Sequence, residues 1–344
     1  MSMGKTVGLT YNLKTEYIFK PGDPQDANAE FDHPDTVALI EKAIHAGNHR
    51  VVRIGNANRL LESWEHLAVD IIFNISEGVG TRNRESQVPI ILEMLGIPYV
   101  GSDGLTLGIT LDKIITKKLL IAEGIPTPRF MEIKDPNDPI RDVPLNFPLI
   151  VKPRHEGTSK GLSESSIVRN VNDLRHQARW LIETYHQPAL VEEFIEGSEF
   201  TVAVLGNEHP ETLPVVQVRI GGKLDLGELF YTFTRAREHS DLDYVVPAAI
   251  PTELEARIRE VARRTYQAVE CRDFGRVDVR VNRRGELFVL EINPLPSLAA
   301  ADVFTLLAKH LGMTYDAMVN RILDHALARH GLLKEAVPSL TASR

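Results

Sequence analysis

The sequence predicts an α/β protein with a doubly wound parallel sheet in its N-terminal part and an α+β arrangement towards its C-terminus. Three observations carry this. In the first hundred or so residues, apolar strand-like runs alternate with amphipathic helical ones, an order that gives a parallel sheet covered on both faces. Further along, strands follow one another directly, and two of them read as an antiparallel hairpin. The chain has 344 residues, too many for one ordinary core and suited to two or three domains.

Taken in order, TVGLTYN (6–12) reads as a buried strand, and DTVALIEKAIHAG (35–47) as a helix closed by Gly47. HRVVRIGN (49–56) is a strand, NRLLESWEHL (58–67) a helix and VDIIFNIS (69–76) a strand. RESQVPIILEMLG (84–96) is a helix that leads to the strand IPYVGS (97–102). The first domain is placed at 1–101. TLDKIITKKLLIAEG (110–124) is helical, and KDPNDPIRDVP (134–144) is a loop. FPLIVKPR (147–154) is a strand running into the glycine-bearing HEGTSKG (155–161). NDLRHQARWLIETYH is a helix and ALVEEFI (189–195) a strand, which sets a second domain at 102–190. The third, 191–335, holds the strands EFTVAVLG, LPVVQVRI, GRVDVRV and ELFVLEIN, a polar segment near 225–245 and the helix PTELEARIREVARRTYQAV. It ends on TLLAKHLGMTYDAMVNRILDHALARHG, read as amphipathic helix.

At 43% hydrophobic and 25% charged residues, the composition is that of a soluble globular protein. No apolar run approaches the ~18–20 residues of a membrane span, and MSMGKTVGL lacks a signal-peptide core. The single cysteine, Cys271, excludes an internal disulfide and suits a reducing cytoplasm. A net charge of −8 argues against a broad nucleic-acid surface while leaving room for a local anion site.

Three stretches carry chemistry. In GRVDVRV and ELFVLEIN, alternation puts Arg276 and Asp278 on one face and Glu291 and Asn293 on one face. A two- or four-residue loop around NRRG brings all four onto the same face; a three-residue loop does not, and the sequence leaves the choice open. Together they would offer two carboxylates and an amide oxygen beside a guanidinium, a donor set suited to Mg²⁺. On a solvated surface hairpin the same residues would be a weak ion pair. VKPRHEGTSKG adds a strand-borne Lys152 and a loop whose glycines can turn N–H groups towards phosphate, though it is not a Walker A sequence. LVEEFIEGSEF places Glu192 and Glu199 around a strand end. GVGTRN (78–83) lacks the spacing of a nicotinamide-binding loop.

These stretches, with LEMLGIPYVGSD and TLDKIITKKLL, resemble the ATP-grasp carboxylate–amine ligases, most closely the D-alanine–D-alanine ligases, from about Thr6 to Leu323. The resemblance implies an ATP-grasp fold in which ATP is clamped between two sheets. It implies a substrate carboxylate phosphorylated by ATP to an acyl phosphate and then attacked by an amine, chemistry that rests on positioning and charge neutralisation. It assigns Lys113 and Lys152 to the ATP phosphates, Glu192 to the adenine side, and the backbone of Glu193, Phe194 and Ile195 to the adenine edge. Glu199 falls to the ribose, Asp278, Glu291 and Asn293 to magnesium (two ions, or Mn²⁺ instead), and Arg276 to the transferring phosphate. Thr158 and Ser159 match the paired serines of the glycine-rich loop, and Glu16 the acid that meets the first substrate's amine. The partners implied are ATP and small amino-acid or carboxylate substrates, with no nucleic acid and no membrane; a homodimer is left open.

The departures fall on the amino-acid sites. Where the family has HG…GEDG this chain reads EGVGTRNRES (77–86). EINPLPSLA replaces EINTxPGMT, so Ser297 stands at a glycine position. Asp302 stands where a serine holds the acceptor's carboxylate, which is electrostatically wrong for that task. Asp302 can instead cap the following helix. In FYTFTRAREHSDLDY, Arg235 and Arg237 are the expected stand-ins for the family's substrate-loop lysine and tyrosine. The readings that stay open are D-alanine ligation, the same mechanism on other amino acids or small acids, a nucleotide-binding protein without turnover, and an ATP-grasp enzyme of carboxylase type.

Overall fold

The structure, a computed structural model, describes residues 4–80, 82–238 and 241–333, without the side chains of 236–238. It opens with β1 (Thr6–Tyr11), α1 (Pro34–Ala46), β2 (Arg50–Gly55), α2 (Ala57–Ser63), β3 (Ile71–Ile75), α3 (Gln87–Leu95) and β4 (Tyr99–Val100). The four strands form a parallel sheet in the order β2-β1-β3-β4. Val37, Ile40 and Ile44 of α1 share a core with Val7 and Leu9 on one face. Leu60, Val88 and Leu92 of α2 and α3 pack on Ile72 and Tyr99 from the other. Burial on both faces explains the uninterrupted apolar strand β3 and bears out the doubly wound reading. Gly47 is the C-cap of α1, as expected, though at φ −78°; the left-handed residue is its neighbour Asn48 (φ 65°).

The expected helix at 110–124 is two helices. α4 (Gly104–Leu111) meets α5 (Lys113–Ala122) at Asp112, whose carboxylate caps α5 by accepting from the Ile115 N–H at 3.2 Å. A second sheet follows from β5 (Phe130–Ile133), β6 (Leu149–Pro153), β7 (Ile167–Val168), α6 (Val171–Tyr185) and β8 (Ala189–Glu193). Its strands run antiparallel in the order β5-β8-β6-β7. Leu174, Ala178 and Leu181 of α6 bury its outer face against Leu149, Val151 and Val191.

The third sheet is built from β9 (Gly197–Leu205), β10 (Glu211–Thr212), β11 (Val216–Ile220), α7 (Phe233–Glu238), β12 (Leu242–Val245), α8 (Thr252–Ala268), β13 (Phe274–Asn282) and β14 (Leu287–Asn293). The strand order is β12-β11-β9-β13-β14, with β10 also paired to β9. α8 lays Ile258, Ala262 and Tyr266 over Val202, Val277 and Val279. The expected single tail helix is two, α9 (Val303–His310) and α10 (Tyr315–Arg329), broken where Gly312 takes φ 69°. α10 returns to the first sheet. Its Met318, Val319 and Ile322 lie in the core of Val7 and Ile40, which also takes Phe274 and Leu205 from the third sheet. Buried Asp273 ties the same junction, accepting from the Gly101 N–H at 2.8 Å and from Arg329 at 2.7 Å. No helix among the described residues is long and apolar enough to cross a membrane.

The β13–β14 hairpin resolves the question the sequence left open, in an unanticipated way. Val281 pairs with Leu287 and Val279 with Val289, and the Asn282 N–H donates to the Glu286 carbonyl, so the connection is the three-residue one. That parity alone would set Asp278 opposite Leu290 and turn Glu291 away. A bulge intervenes: Leu290 is left unpaired, and the register resumes with Asp278 opposite Glu291 and Arg276 opposite Asn293. One extra residue in β14 restores the shared polar face.

Candidate active site

The second and third sheets face each other across a cleft of about 450 Å³, closed at its far end by the first sheet and the segment before α1. Alternation delivers Arg276, Asp278 and Arg280 from β13 to the cleft, and the β9 neighbours of Asp278 and Arg280 are Thr201 and Glu199. The Thr201 hydroxyl donates to Asp278 at 2.6 Å, and the Asn293 amide donates to the other Asp278 oxygen at 3.2 Å, leaving the Asn293 carbonyl oxygen free to turn outward. Arg276 forks onto Asp278 at 3.1 and 3.2 Å and lies 3.9 Å from Asp302. Burial would pull its guanidinium down, but Asp278 and Asp302 outweigh that and hold its pKa above the usual arginine value.

Glu291 is 2.9 Å from Lys113 at the start of α5. Burial opposes its ionisation, yet Lys113, then Lys152 and Arg276, hold its carboxyl well below the ordinary range. Lys152 on β6 meets Glu192 on β8 at 2.6 Å, and Glu192 also contacts Lys117. Glu192 is 1% exposed; burial raises its carboxyl, and Lys117 and Lys152 more than compensate. Glu199 is met by Arg280 at 2.9 Å, and Arg280 also donates to the Ile195 carbonyl at 2.7 Å. The Phe194 ring lies 4.8 Å from the Arg280 guanidinium. The hinge amides of Glu193 and Phe194 are used within the sheet, donating to the Arg129 and Pro148 carbonyls.

The cleft therefore gathers Lys113, Lys152, Glu192, Glu193, Phe194, Ile195, Glu199, Arg276, Asp278, Glu291 and Asn293, with Thr158, Ser159, Ser297 and Asp302 also on its wall. Thr158 and Ser159 sit in the left-handed region (φ 48° and 56°) at the tip of the glycine loop. The loop's glycine N–H groups, expected to face phosphate, are engaged otherwise: Gly157 donates to Glu30 at 2.6 Å and Gly161 to Asp26 at 2.8 Å. Asp302 does cap α9, accepting from the Val303 N–H at 2.8 Å, while its position near Arg276 keeps it on the cleft.

Two of the expected site residues lie off the cleft wall. Glu16 is exposed on a short 3₁₀ turn and does not line the cleft; the carboxylates that do so there are Glu30, Asp32, Glu77 and Glu85. Arg235 does not line it either, being held by Glu164 at 2.7 Å and Asp241 at 3.3 Å. The Arg237 side chain lies outside the described residues. The same segment contributes Tyr231, whose hydroxyl bonds to that of Tyr244 on the cleft wall. Burial pushes both phenols up, Tyr244 to about 12.

Two of the residues missed had readable signals. Lys117 is one helical turn after Lys113, on the same helix face, and is 1% exposed; burial pulls its ammonium down. Arg280 continues the strand alternation one step past Asp278. Arg84, Glu30 and Lys160 had none, because they meet through tertiary contacts: Arg84 to Glu30 at 2.7 Å, Lys160 to Glu30 at 3.4 Å.

A family model described as the D-ala D-ala ligase C-terminus matches residues 119–324. An uncharacterised protein of Sinorhizobium fredii, y4sG, is 38% identical over 76% of this chain and 75% of its own length. The D-alanine–D-alanine ligase of Desulforudis audaxviator is 36% identical over 83% of this chain and 91% of its own. That of Carboxydothermus hydrogenoformans is 32% identical over 83% and 90%. Among solved structures, the D-alanine–D-alanine ligase of Bacillus anthracis complexed with ATP superposes with a TM-score of 0.71 at 23% identity, covering 95% of this chain and 99% of that one. The VanG D-Ala:D-Ser ligase of Enterococcus faecalis gives 0.69 at 21% identity, covering 94% and 99%. The fold is thus the α/β ATP-grasp fold.

Proposed function

The chain belongs to the D-alanine–D-alanine ligase family and is an ATP-dependent ligase that forms a carbon–nitrogen bond; from that premise we propose which of its residues carry the reaction. The three sheets are read as three domains, 1–101, 102–190 and 191–335, with α10 crossing back to the first. ATP lies between the second and third sheets, its adenine towards Glu193–Ile195 and Glu192, its ribose towards Glu199. Lys113 and Lys152 take the phosphates, exchanging their present carboxylate partners for phosphate oxygens at little cost in charge.

Asp278, Glu291 and the Asn293 oxygen fit Mg²⁺. They are hard oxygen donors on one face, two of them anionic, and Mg²⁺ leaves its other positions to phosphate and water. When bound, the ion would neutralise phosphate charge. Arg276 stands beside this face and stabilises charge on the phosphoryl group in flight. The substrate carboxylate oxygen bonds to the γ-phosphorus as the bridging oxygen leaves with ADP. The amine nitrogen then bonds to the acyl carbon, a proton departs, and the C–O bond to phosphate breaks to release inorganic phosphate. The chain's part is to align these groups and exclude water.

The observation that supports this most is the convergence of Lys113, Lys152, Arg276, Asp278, Glu291 and Asn293 on one cleft despite the hairpin's odd-numbered turn. The test is ADP and phosphate release with Mg²⁺-ATP and a panel of amino acids, with products read by mass spectrometry. Turnover that needs an amino acid and yields a mass-balanced amide is expected. ATP hydrolysis indifferent to every amine and carboxylate would overturn the assignment.

A further inference from the structure

The end of the cleft furthest from the adenine hinge is acidic, and among the described residues part of that acidity has no ion-pair partner. One carboxylate oxygen from each of Glu30, Glu77 and Glu85 lies within 4.8 Å of the others. Glu30 is satisfied by Arg84 at 2.7 Å, the Gly157 N–H at 2.6 Å and Lys160 at 3.4 Å. Glu156 is satisfied by Lys160 at 2.5 Å and Arg84 at 3.4 Å. Those two acids and two bases balance. Among the described residues, Glu77 and Glu85 have no hydrogen bond or ion pair. Glu85 is only 8% exposed, and what exposure it keeps is to the cleft it lines. A buried carboxylate without a partner is costly and holds a proton instead, until a ligand supplies the missing charge.

Resting on the ligase reading of this cleft, we infer that its substrate is a basic amino acid, whose α-ammonium and side-chain ammonium or guanidinium are received by Glu77 and Glu85. The geometry favours this over a neutral amino acid: Asp32 on the same wall adds a third acid beside Glu77 and Glu85, more than one α-ammonium can serve. The sequence departs from its family at this place, opening EGVGTRNRES with Glu77 where the family has a histidine. Glu16 is exposed and off the cleft wall, whereas these acids line it. Burial, with nearby Glu30, keeps the Glu85 carboxyl up at about 7 against the pull of Arg84 and Lys113; burial, with Glu85 beside it, also raises Glu77. A divalent metal suits the recess less well, since Glu30 is consumed by two cations and the Arg84 guanidinium would face the ion. A site built around paired charges strongly rejects the isostere lacking one.

The test compares basic amino acids with uncharged isosteres that share the α-ammonium: lysine with norleucine, ornithine with norvaline, 2,3-diaminopropionate with 2-aminobutyrate, in both enantiomers. At saturating Mg²⁺-ATP, at least one basic member should exceed its isostere in kcat/KM by about 30-fold or more, as loss of a buried charge pair implies. Glu85→Gln and Glu77→Gln should collapse that ratio towards one, with circular dichroism confirming the fold. Calorimetry with a non-hydrolysable ATP analogue should show the preferred basic amino acid binding wild type and failing to bind Glu85→Gln. Equal or better turnover of the uncharged isosteres would sink the inference and leave the ligase reading intact. No binding of any basic amino acid in calorimetry would also overturn it, whatever turnover shows. Binding of Mn²⁺, Ca²⁺ or Zn²⁺ alone that Glu85→Gln removes and Glu291→Gln keeps would replace it with a metal site. Absence of ADP formation with every pair would instead count against the ligase reading, while the calorimetry decides the recess separately.

Discussion

The two ends of the cleft handle charge in opposite ways. At the nucleotide end each acid is already matched: Glu291 by Lys113, Glu192 by Lys117 and Lys152, Glu199 by Arg280, Asp278 by Arg276. At the far end Glu77 and Glu85 line the cavity and, among the described residues, have no hydrogen-bond or ion-pair partner. A matched end keeps its shape while empty and exchanges partners when a polyanion arrives, so it can serve any enzyme that uses the same nucleotide. An unmatched end is incomplete until its own ligand arrives. On the proposed assignment, the contrast would let one fold hold its nucleotide chemistry constant while its substrate changes.

The largest effect expected at the matched end comes from Glu291→Gln. The amide keeps the shape but removes the charge that balances Lys113 and contributes to the metal face. ADP formation should fall by about 10³-fold, the scale of losing one preorganised electrostatic contact in phosphoryl transfer. Thermal unfolding should move little, since the side chain is only partly buried. A variant retaining wild-type Mg²⁺-dependent turnover would show that the face is structural only.

Lys117 gives the next largest effect, in stability. Its ammonium is sealed between Glu192 and the Thr127 hydroxyl, 2.6 Å away. Lys117→Met leaves the buried Glu192 with Lys152 alone and should cost about 2–4 kcal/mol in denaturant unfolding. Adding Glu192→Gln should restore part of that loss by removing the stranded charge. If the double variant is the less stable by the full sum of both changes, the two residues are not coupled and the matched end is not a unit.

How far the sequence foretold each end follows from the same contrast. The nucleotide end is carried by residues close along strands and helices. Alternation foretells Arg276 with Asp278 and Glu291 with Asn293, and the next strand position would have added Arg280. What local pattern could not foretell was the bulge at Leu290, because it depends on how β14 seats against its neighbours; on the edge away from β13, the Val289 N–H donates to the Pro126 carbonyl. The far end depends on contacts between distant segments. Glu30 meets Gly157 and Lys160 across more than a hundred residues, a proximity set only once the first sheet packs on the second. The same long-range packing hid the return of α10 to the first sheet. It also removed Glu16 from the cleft, since the turn that carries it faces solvent.

A smaller effect should appear in pH dependence. The Glu85 carboxyl is raised to about 7 in the folded state, first by burial, with Glu30 and Glu156 adding and Arg84 and Lys113 opposing; Glu77 is raised alongside it. A carboxyl with a raised folded pKa binds more protons folded than unfolded between its two values. Its favourable contribution is therefore complete below the unfolded value and is lost as pH rises through about 7. The ligand-free protein should lose roughly 1–3 kcal/mol between pH 5 and pH 8 from this recess, and Glu85→Gln should flatten that slope. A basic substrate should reverse it by stabilising the ionised acids. An identical slope in wild type and Glu85→Gln would place the pH dependence elsewhere.

The smallest effect expected is at Arg235, and it separates the cleft from its surroundings. Arg235 binds Glu164 and Asp241 near the surface, and its guanidinium also donates to the Phe230 carbonyl at 3.2 Å. Surface ion pairs of this kind are worth little once solvent screening and side-chain entropy are counted. Arg235→Ala should therefore cost no more than about 1 kcal/mol of stability and leave the KM for either amino-acid substrate within about twofold, well under the 1.4 kcal/mol that a tenfold change requires. Tyr231, on the same segment but on the cleft wall, supplies the contrast. Tyr231→Phe removes the hydroxyl bonded to Tyr244 beside Arg276 and should raise KM or lower kcat more than Arg235→Ala does. If the order is reversed, with Arg235→Ala raising substrate KM tenfold while Tyr231→Phe is silent, the segment moves Arg235 into the cleft during turnover. The substrate's carboxylate would then find a cation opposite the acidic recess.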